Sequence, residues 1–410
     1  MRSGRVFITV FFAAILFLTA ASAAPAQWWT VQTSGIDTNL RAVSAVLLSP
    51  GEEKIAVWAS GSNGVILRSL DDGKSWKRLH VAGGDSLDFR GIVAFDQNTA
   101  YVMSIGNGEK SRIYKTKDGG ETWKLQFTGE RKEVFLDAIA CPYEKECYAL
   151  GDPVDGKFFL IETDDGKRWK EVSRSKMPVA LPNEGAFAAS NSSLFVDGDD
   201  IYFGTGGASS ARVFHSPDSG ETWAVAHTPI ASANASSGIF STYYRGDSLL
   251  LVVGGDYKDP SRAFQTAAFS KDAGSTWQLA SQLPGGFRSA LADDGLGVTV
   301  AVGPSGEDVS LNQGVTWEHA GSLDLNAVTI FDGHRGWAVG PHGTVARFQN
   351  QVQYIMRNEV PAFDLKTKSI PCGLLDLICL STLPRSLQEF WLAGSLQGSR
   401  TGGQNVIHFH

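Results

Sequence analysis

The sequence predicts an all-β chain: a seven-bladed β-propeller of four-stranded antiparallel blades, closed by the N-terminal strand in the last blade. Three observations predict it. An octapeptide, Ser/Thr-x-Asp-x-Gly-x-Thr/Ser-Trp, recurs along the chain. Its copies begin at residues 69, 116, 162, 216, 270 and 310, steps of 40 to 54 residues, about one four-stranded blade each. Between the copies lie short apolar or alternating runs that read as strands.

The octapeptide has the chemistry of a turn. Its acid position is filled by Asp71, Asp118, Asp164, Asp218 and Asp272, and by Asn312 in the last copy. A carboxylate there accepts backbone N–H groups within the loop. The Gly supplies a backbone angle that other residues resist. The Trp begins the next strand and packs inward. The copy at residue 162 is degraded, with Glu162 first and Arg168 before Trp169. None of the six has the spacing of a calcium loop, so they are read as structural.

The strands follow in order. In the second blade, 91–95 is the inner strand, 99–104 the second, 112–116 the third and 123–127 the outer strand after the turn. A seventh unit, Leu325 to Phe348, carries strands at 327–330 and 336–339 but no octapeptide. The N-terminal stretch Trp28-Trp29-Thr30-Val31-Gln32 resembles the strand that follows an octapeptide, and it supplies the missing strand of blade seven. First and last strands in one blade leave no free edge.

The termini stand outside the ring. Residues 1–23 have the order of a secretory signal peptide: arginines at Arg2 and Arg5, an apolar run from Val6, then Ala21-Ser22-Ala23. The run is short for a membrane span, and no later stretch is long enough for one. The propeller is assigned to 24–350. Residues 351–410 are a C-terminal tail of uncertain structure, with 387–396 readable as a short helix and 397–410 as an unordered end.

Net charge is −7, which excludes a general nucleic-acid or anionic-membrane binder. The four cysteines fall in two close pairs. Cys141 and Cys147 flank a short turn, and an exported chain is expected to join them. Cys372 and Cys379 are a weaker second pair. The eight histidines are scattered without ligand spacing, so no metal and no cofactor are expected. Gly151 to Phe158 reads GxxxxGK, but Phe158 stands where a phosphate loop needs Ser or Thr. No GxSxG or HExxH occurs.

Inner-strand starts align at Arg41, Arg90, Asp137, Ala186, Gly238, Arg288 and Asn326. Arg41, Arg90 and Arg288 would then rim one mouth of the channel. Loops on that face bring Asp152, Asp155, Asp256 and Tyr257. Two readings stay open. The arginines either pair with neighbouring acids and tie blades together, or converge to bind a carboxylate.

Signal peptide plus six octapeptides resembles the Asp-box (BNR-repeat) propellers of the sialidase-like superfamily. Within them the chain is similar to the photosystem II stability/assembly-factor group and its secreted bacterial relatives. The residues carrying this are Gly151 to Phe158, Glu184-Gly185-Ala186-Phe187-Ala188-Ala189-Ser190, Gly254-Gly255-Asp256-Tyr257 and Val302-Gly303-Pro304-Ser305-Gly306. The resemblance implies a non-catalytic binding or assembly scaffold, periplasmic or secreted and monomeric, presenting the channel mouth to a protein segment or acidic ligand. The alternative is a glycoside hydrolase of sialidase-like type. It would draw on the three arginines, Glu184, Asp137 and Tyr243 or Tyr244. Against it, the Phe-Arg-Ile-Pro segment of that type is missing, its nearest match being Phe89-Arg90-Gly91-Ile92. Rings of that type also have six blades, against seven counted here.

Overall fold

The computed structural model describes residues 28–49, 53–331 and 335–349, with the strand backbone of 369–371, 397–401 and 404–408. The leader expected at 1–23, Cys372, Cys379 and the helix expected at 387–396 lie outside the described residues. Seven four-stranded antiparallel sheets form the propeller. Their inner strands are Leu40–Leu47, Asp88–Ala94, Leu136–Tyr143, Leu194–Asp197, Ser237–Gly246, Ala290–Asp293 and Ala327–Ile330. Each sheet runs in sequence order from inner to outer strand except the last. There the N-terminal strand Trp29–Thr33 pairs antiparallel with Thr344–Gln349 and takes the outer place.

The core is laid down between blades. Seven apolar clusters each join residues of two consecutive blades. Trp58 and Ile66 of blade one meet Ile92 and Val102 of blade two, and Trp29 and Phe348 of blade seven meet Val300 and Val302 of blade six. The central strands are therefore buried on both faces, as in Ile55–Gly61, where all seven residues are buried. This is why the sequence shows continuous apolar runs there instead of strict alternation. Outer strands are largely exposed, as in Lys77–Leu79, where only Leu79 is buried.

The octapeptide turns share one bonding pattern. In the first, Ser69 Oγ accepts from Gly73 N at 2.8 Å and donates to Asp71 Oδ1 at 2.7 Å. Asp71 in turn accepts from Ser75 N and Ser75 Oγ, and Trp76 Nε1 donates to Gly73 O. Asp118, Asp218 and Asp272 repeat the Asp71 contacts. Asn312 accepts from Thr316 N but donates its amide N–H to Thr316 Oγ1 at 2.8 Å, reversing one bond. Blade three departs from the sequence alignment. The loop acid there is Asp165, which accepts from Lys167 N, Arg168 N and Thr163 Oγ1. Asp164 faces solvent and pairs with Lys170. Because Thr163 takes the Ser/Thr place, the turn has lost one residue and the acid moves along by one.

Cys141 and Cys147 are joined by a disulfide across the first hairpin of blade three. Helical structure among the described residues consists of two 3-10 turns, Gly108–Lys110 and Pro341–Gly343. No helix among them is long and apolar enough to cross a membrane. In the tail, Gln397–Thr401 pairs with Gln404–His408, which also pairs with Ser369–Pro371. These strands replace the unordered end expected for 397–410.

Candidate functional site

The segment before the inner strand of blade four organises the channel. The sequence places an inner-strand start at Ala186, but the strand begins at Leu194. Residues 186–193 instead cross the channel and bond to four other blades. Ala188 O accepts from Arg90 of blade two at 2.8 Å. Asn191 accepts from Ile139 N and donates to Ile139 O of blade three. Ser192 O accepts from Thr242 N of blade five. Ser190 Oγ donates to Ser289 O of blade six. Gly91 is needed for this crossing: a Cβ there would lie 2.7 Å from Asn191 Oδ1. Bonds to four blades fix the segment in one place, so it forms the floor of a cup.

That cup is a cavity of about 710 Å³ at the mouth where inner strands start and second strands end. Its lining has two halves. Arg41, Arg90, Asp137, Asp152, Asp324 and Asn326 supply the polar half, from blades seven and one to three. Phe187, Phe240, Tyr257 and Phe287 supply the other. Phe187 stacks on Phe240 with centroids 3.9 Å apart, and Phe240 meets Phe287 and Tyr257 edge-on.

The three arginines separate. Arg41 and Arg90 line the cup, whereas Arg288 does not. Arg288 is fully buried within blade six, where Asp308 accepts from its Nε at 2.6 Å and Phe287 O accepts from Nη1. A guanidinium taken wholly out of water needs such a partner, so its position is set by Asp308 and not by the mouth. Arg90 bonds Asp88 at 2.9 Å as well as Ala188 O. Among the described residues Arg41 bonds only the neutral Asn326 Oδ1, at 3.1 Å, and its buried Nε has no partner. Burial first, then the charge of Arg90, pushes Arg41 down to about 10.

The acids divide as well. Glu184 is buried inside blade four, away from the cup. It accepts from Arg212 Nε at 2.9 Å and Arg212 Nη2, from Thr205 Oγ1 and from Leu181 N. With every lone pair engaged it cannot serve as a catalytic acid at the mouth. Tyr243 and Tyr244 stand toward the far end of Ser237–Gly246, about 15 to 20 Å along the strand from its mouth end. Tyr243 packs on Phe195 there. The constellation required of a sialidase-type site is therefore not assembled. Asp155 is exposed and pairs with Arg131, and Asp256 bonds Asn234 and Lys258 N in the loop beside Tyr257.

Asp137 and Asp152 do enter the cup. Asp137 sits at a bulge between Leu136 and Ala138 on the inner strand of blade three, and Asp152 follows Gly151, the partner of Leu136, on the second strand. Asp137 is 1% exposed and its Oδ2 has no hydrogen-bond partner among the described residues. Burial, then the charge of Asp152, raises its carboxyl well above the usual range, against the field of Arg90. Burial also pushes Asp152 up to about 6, opposed by a bond from Ala186 N at 3.1 Å. Asp324 is raised by burial. Among the described residues no cluster of three metal-binding side chains occurs. The sequence named Tyr257 of the aromatic half but missed Phe187, Phe240, Phe287 and the floor. Their signal was length: the fourth and fifth repeats are the longest.

Comparison with solved structures shows the same fold at low identity. A structure described as "YCF48 bound to D1 peptide" has TM-score 0.56 and 15% identity, over 80% of this chain and 99% of that one. YCF48 from Cyanidioschyzon merolae gives 0.55 and 15%, over 78% and 99%. The extracellular domain of BT4673 from B. thetaiotaomicron gives 0.52 and 14%, over 85% of this chain and 42% of that one. No curated protein matches the chain. The family model described as the DUF6242 beta propeller domain matches residues 26–293, and the chain belongs to that family.

Proposed function

We propose that this propeller is an exported, non-catalytic binding scaffold that receives a protein segment in the mouth cup. The observation that carries the reading is the floored, two-sided cavity. One wall offers stacked aromatic rings and the other offers Arg41, whose buried Nε lacks a partner. Arg41 and Arg90 would grip a carboxylate of the segment, since a guanidinium fork suits that geometry. The aromatic wall would take a neighbouring apolar side chain. A propeller of the same fold is described as bound to a peptide. Export to the periplasm or the cell exterior agrees with the leader-like residues 1–23 and the Cys141–Cys147 disulfide. The octapeptides keep their likeness to Asp-box propellers and serve the scaffold.

The test is a peptide array probed with the purified protein, followed by titration of the strongest binders. Saturable binding that weakens about tenfold in Arg41→Ala and in Phe240→Ala is expected. Absence of any binder, or affinity indifferent to both changes, would overturn the reading. One observation favours a second reading, glycoside hydrolysis: two cup carboxyls, Asp137 and Asp152, both hold their protons unusually tightly. Turnover of fluorogenic glycosides that vanishes in Asp137→Asn would establish it.

A further inference from the structure

The carboxyl pair of blade three has no counter-charge of its own. No ion pair within 4.0 Å is formed by Asp137 or Asp152 among the described residues, although eighteen others are formed there. Elsewhere among the described residues, charges buried to this degree are mostly paired, and Glu307, which is not, still takes a hydrogen bond from Leu323 N. Arg288 has Asp308, Glu184 has Arg212, and Lys115 has Glu144. Leaving a carboxylate buried and unpaired is costly, and proteins generally avoid it. Asp137 keeps that cost, with an oxygen that meets no donor at the wall of a cavity.

We infer that Asp137 and Asp152 form the receptor for one arginine side chain of the bound segment, its guanidinium seated between these carboxylates and the rings of Phe135 and Phe187. The inference rests on the scaffold reading above and adds the second pole of the segment. Both rings line the same cavity as the two acids. A guanidinium suits this place better than an ammonium. It is weakly hydrated, it stacks on aromatic faces, and its fork can address two carboxylate oxygens together. A metal ion is the poorer fit, because no third carboxylate, His or Cys completes a set among the described residues.

The charged groups around the pair are known. Arg90 faces Asp137 from blade two but is itself bonded to Asp88 and Ala188 O. Asp152 faces it from the neighbouring strand, and Ala186 N meets Asp152 from the floor. Arg41 and Asp324 line the same cup from blades one and seven. In the empty cup the two carboxyls hold protons unusually well, Asp152 up to about 6. A guanidinium favours their charged forms. Its binding therefore releases protons, and affinity rises as pH goes from 5 to 8.

The experiment titrates the full chain with Nα-acetyl-arginine methylamide by calorimetry, and in parallel with its neutral isostere, Nα-acetyl-citrulline methylamide. We expect saturable, roughly millimolar binding of the arginine probe at pH 8, at least about tenfold weaker for citrulline. Asp137→Asn and Asp152→Asn each lower the affinity by a similar factor, and Arg41→Ala does not lower it. Both Asn variants keep the side-chain shape, and a retained melting transition shows that they fold. Equal affinity for the two probes, affinity unchanged in Asp137→Asn, or no saturation up to about 10 mM would overturn the inference. Array peptides that bind through Arg41 and Phe240 whether or not they carry arginine would sink this inference alone and leave the scaffold reading standing.

Discussion

Glu184 and Arg212 form a buried ion pair inside blade four. The carboxylate accepts both Nε and Nη2 of the guanidinium and takes further bonds from Thr205 Oγ1 and Leu181 N. The pair fastens the start of the floor segment to the third strand of its own blade. Arg212 Nη2 also reaches Val179 O, on the approach to that segment. A buried pair is hard to break one partner at a time, because the survivor is left charged and dry. Glu184→Gln should therefore cost about 3–5 kcal/mol in urea unfolding. The double change Glu184→Leu with Arg212→Met should recover most of it, since an apolar pair of similar volume needs no counter-charge. Wild-type stability in Glu184→Gln would contradict the account.

Ring closure rests on the N-terminal strand. Trp29 is 3% exposed, pairs in register with Phe348 and meets its ring edge-on at 5.3 Å. Trp28 stacks on the same ring. Trp29→Ala should destabilise the protein by about 3–5 kcal/mol, as for other buried tryptophans. It should also speed amide exchange in 344–348 before the rest of the ring, because those amides lose their strand partner. Uniform exchange across all blades would show that closure is not made there.

Blade three gives a test of turn register. Bonds from the N–H groups of Arg168 and Lys167 hold Asp165 below the usual carboxylate range, while Asp164 points to solvent. Asp165→Ala should lower the melting temperature by about 1–3 °C, and Asp164→Ala should leave it unchanged. A depressed carboxyl adds stability that is present above its unfolded value, so the difference between the two variants should shrink as pH falls below about 4. The reverse ranking would restore the alignment read from the sequence.

What was legible in the sequence was what repeats. Six octapeptides fixed the blade count, and the Trp28-Trp29 strand with the unpunctuated seventh unit fixed the closure. Register within a degenerate copy was not legible, because Thr163-Asp164-Asp165 offers two acids and one missing residue, and hydrogen bonds alone choose between them. The rim was half legible. Arg41, Arg90 and Arg288 align by strand position, but position along a strand does not say which face a side chain takes. Asp308 on the third strand of blade six drew Arg288 into the blade, and no local pattern announces a partner twenty residues away. The floor was hidden for a related reason. Its bonds run from blade four to blades two, three, five and six, and nonlocal bonds leave no periodic trace. Only the longer fourth and fifth repeats marked the extra chain.

The cup carboxyls also predict how stability follows pH. Asp152 holds its proton up to about 6 in the folded chain, against a usual value of 3.8, chiefly through burial. A folded carboxyl raised in this way adds stability that is complete below the unfolded value and is lost as pH rises through the folded one. The window is therefore about pH 4 to 6. A shift of about two units corresponds to about 3 kcal/mol. Asp152→Asn keeps an oxygen to accept the Ala186 N–H but has no charge to desolvate. It should match the wild type near pH 4 and exceed it by about 3 kcal/mol at pH 8. Removing this charge also eases ionisation of Asp137, which acts in the same direction. Urea unfolding of both proteins at pH 4, 6 and 8 measures this directly. Curves that stay parallel across the three values would mean that the mouth is wet enough to solvate the carboxylate, and the proposed recognition of a guanidinium there would lose its ground.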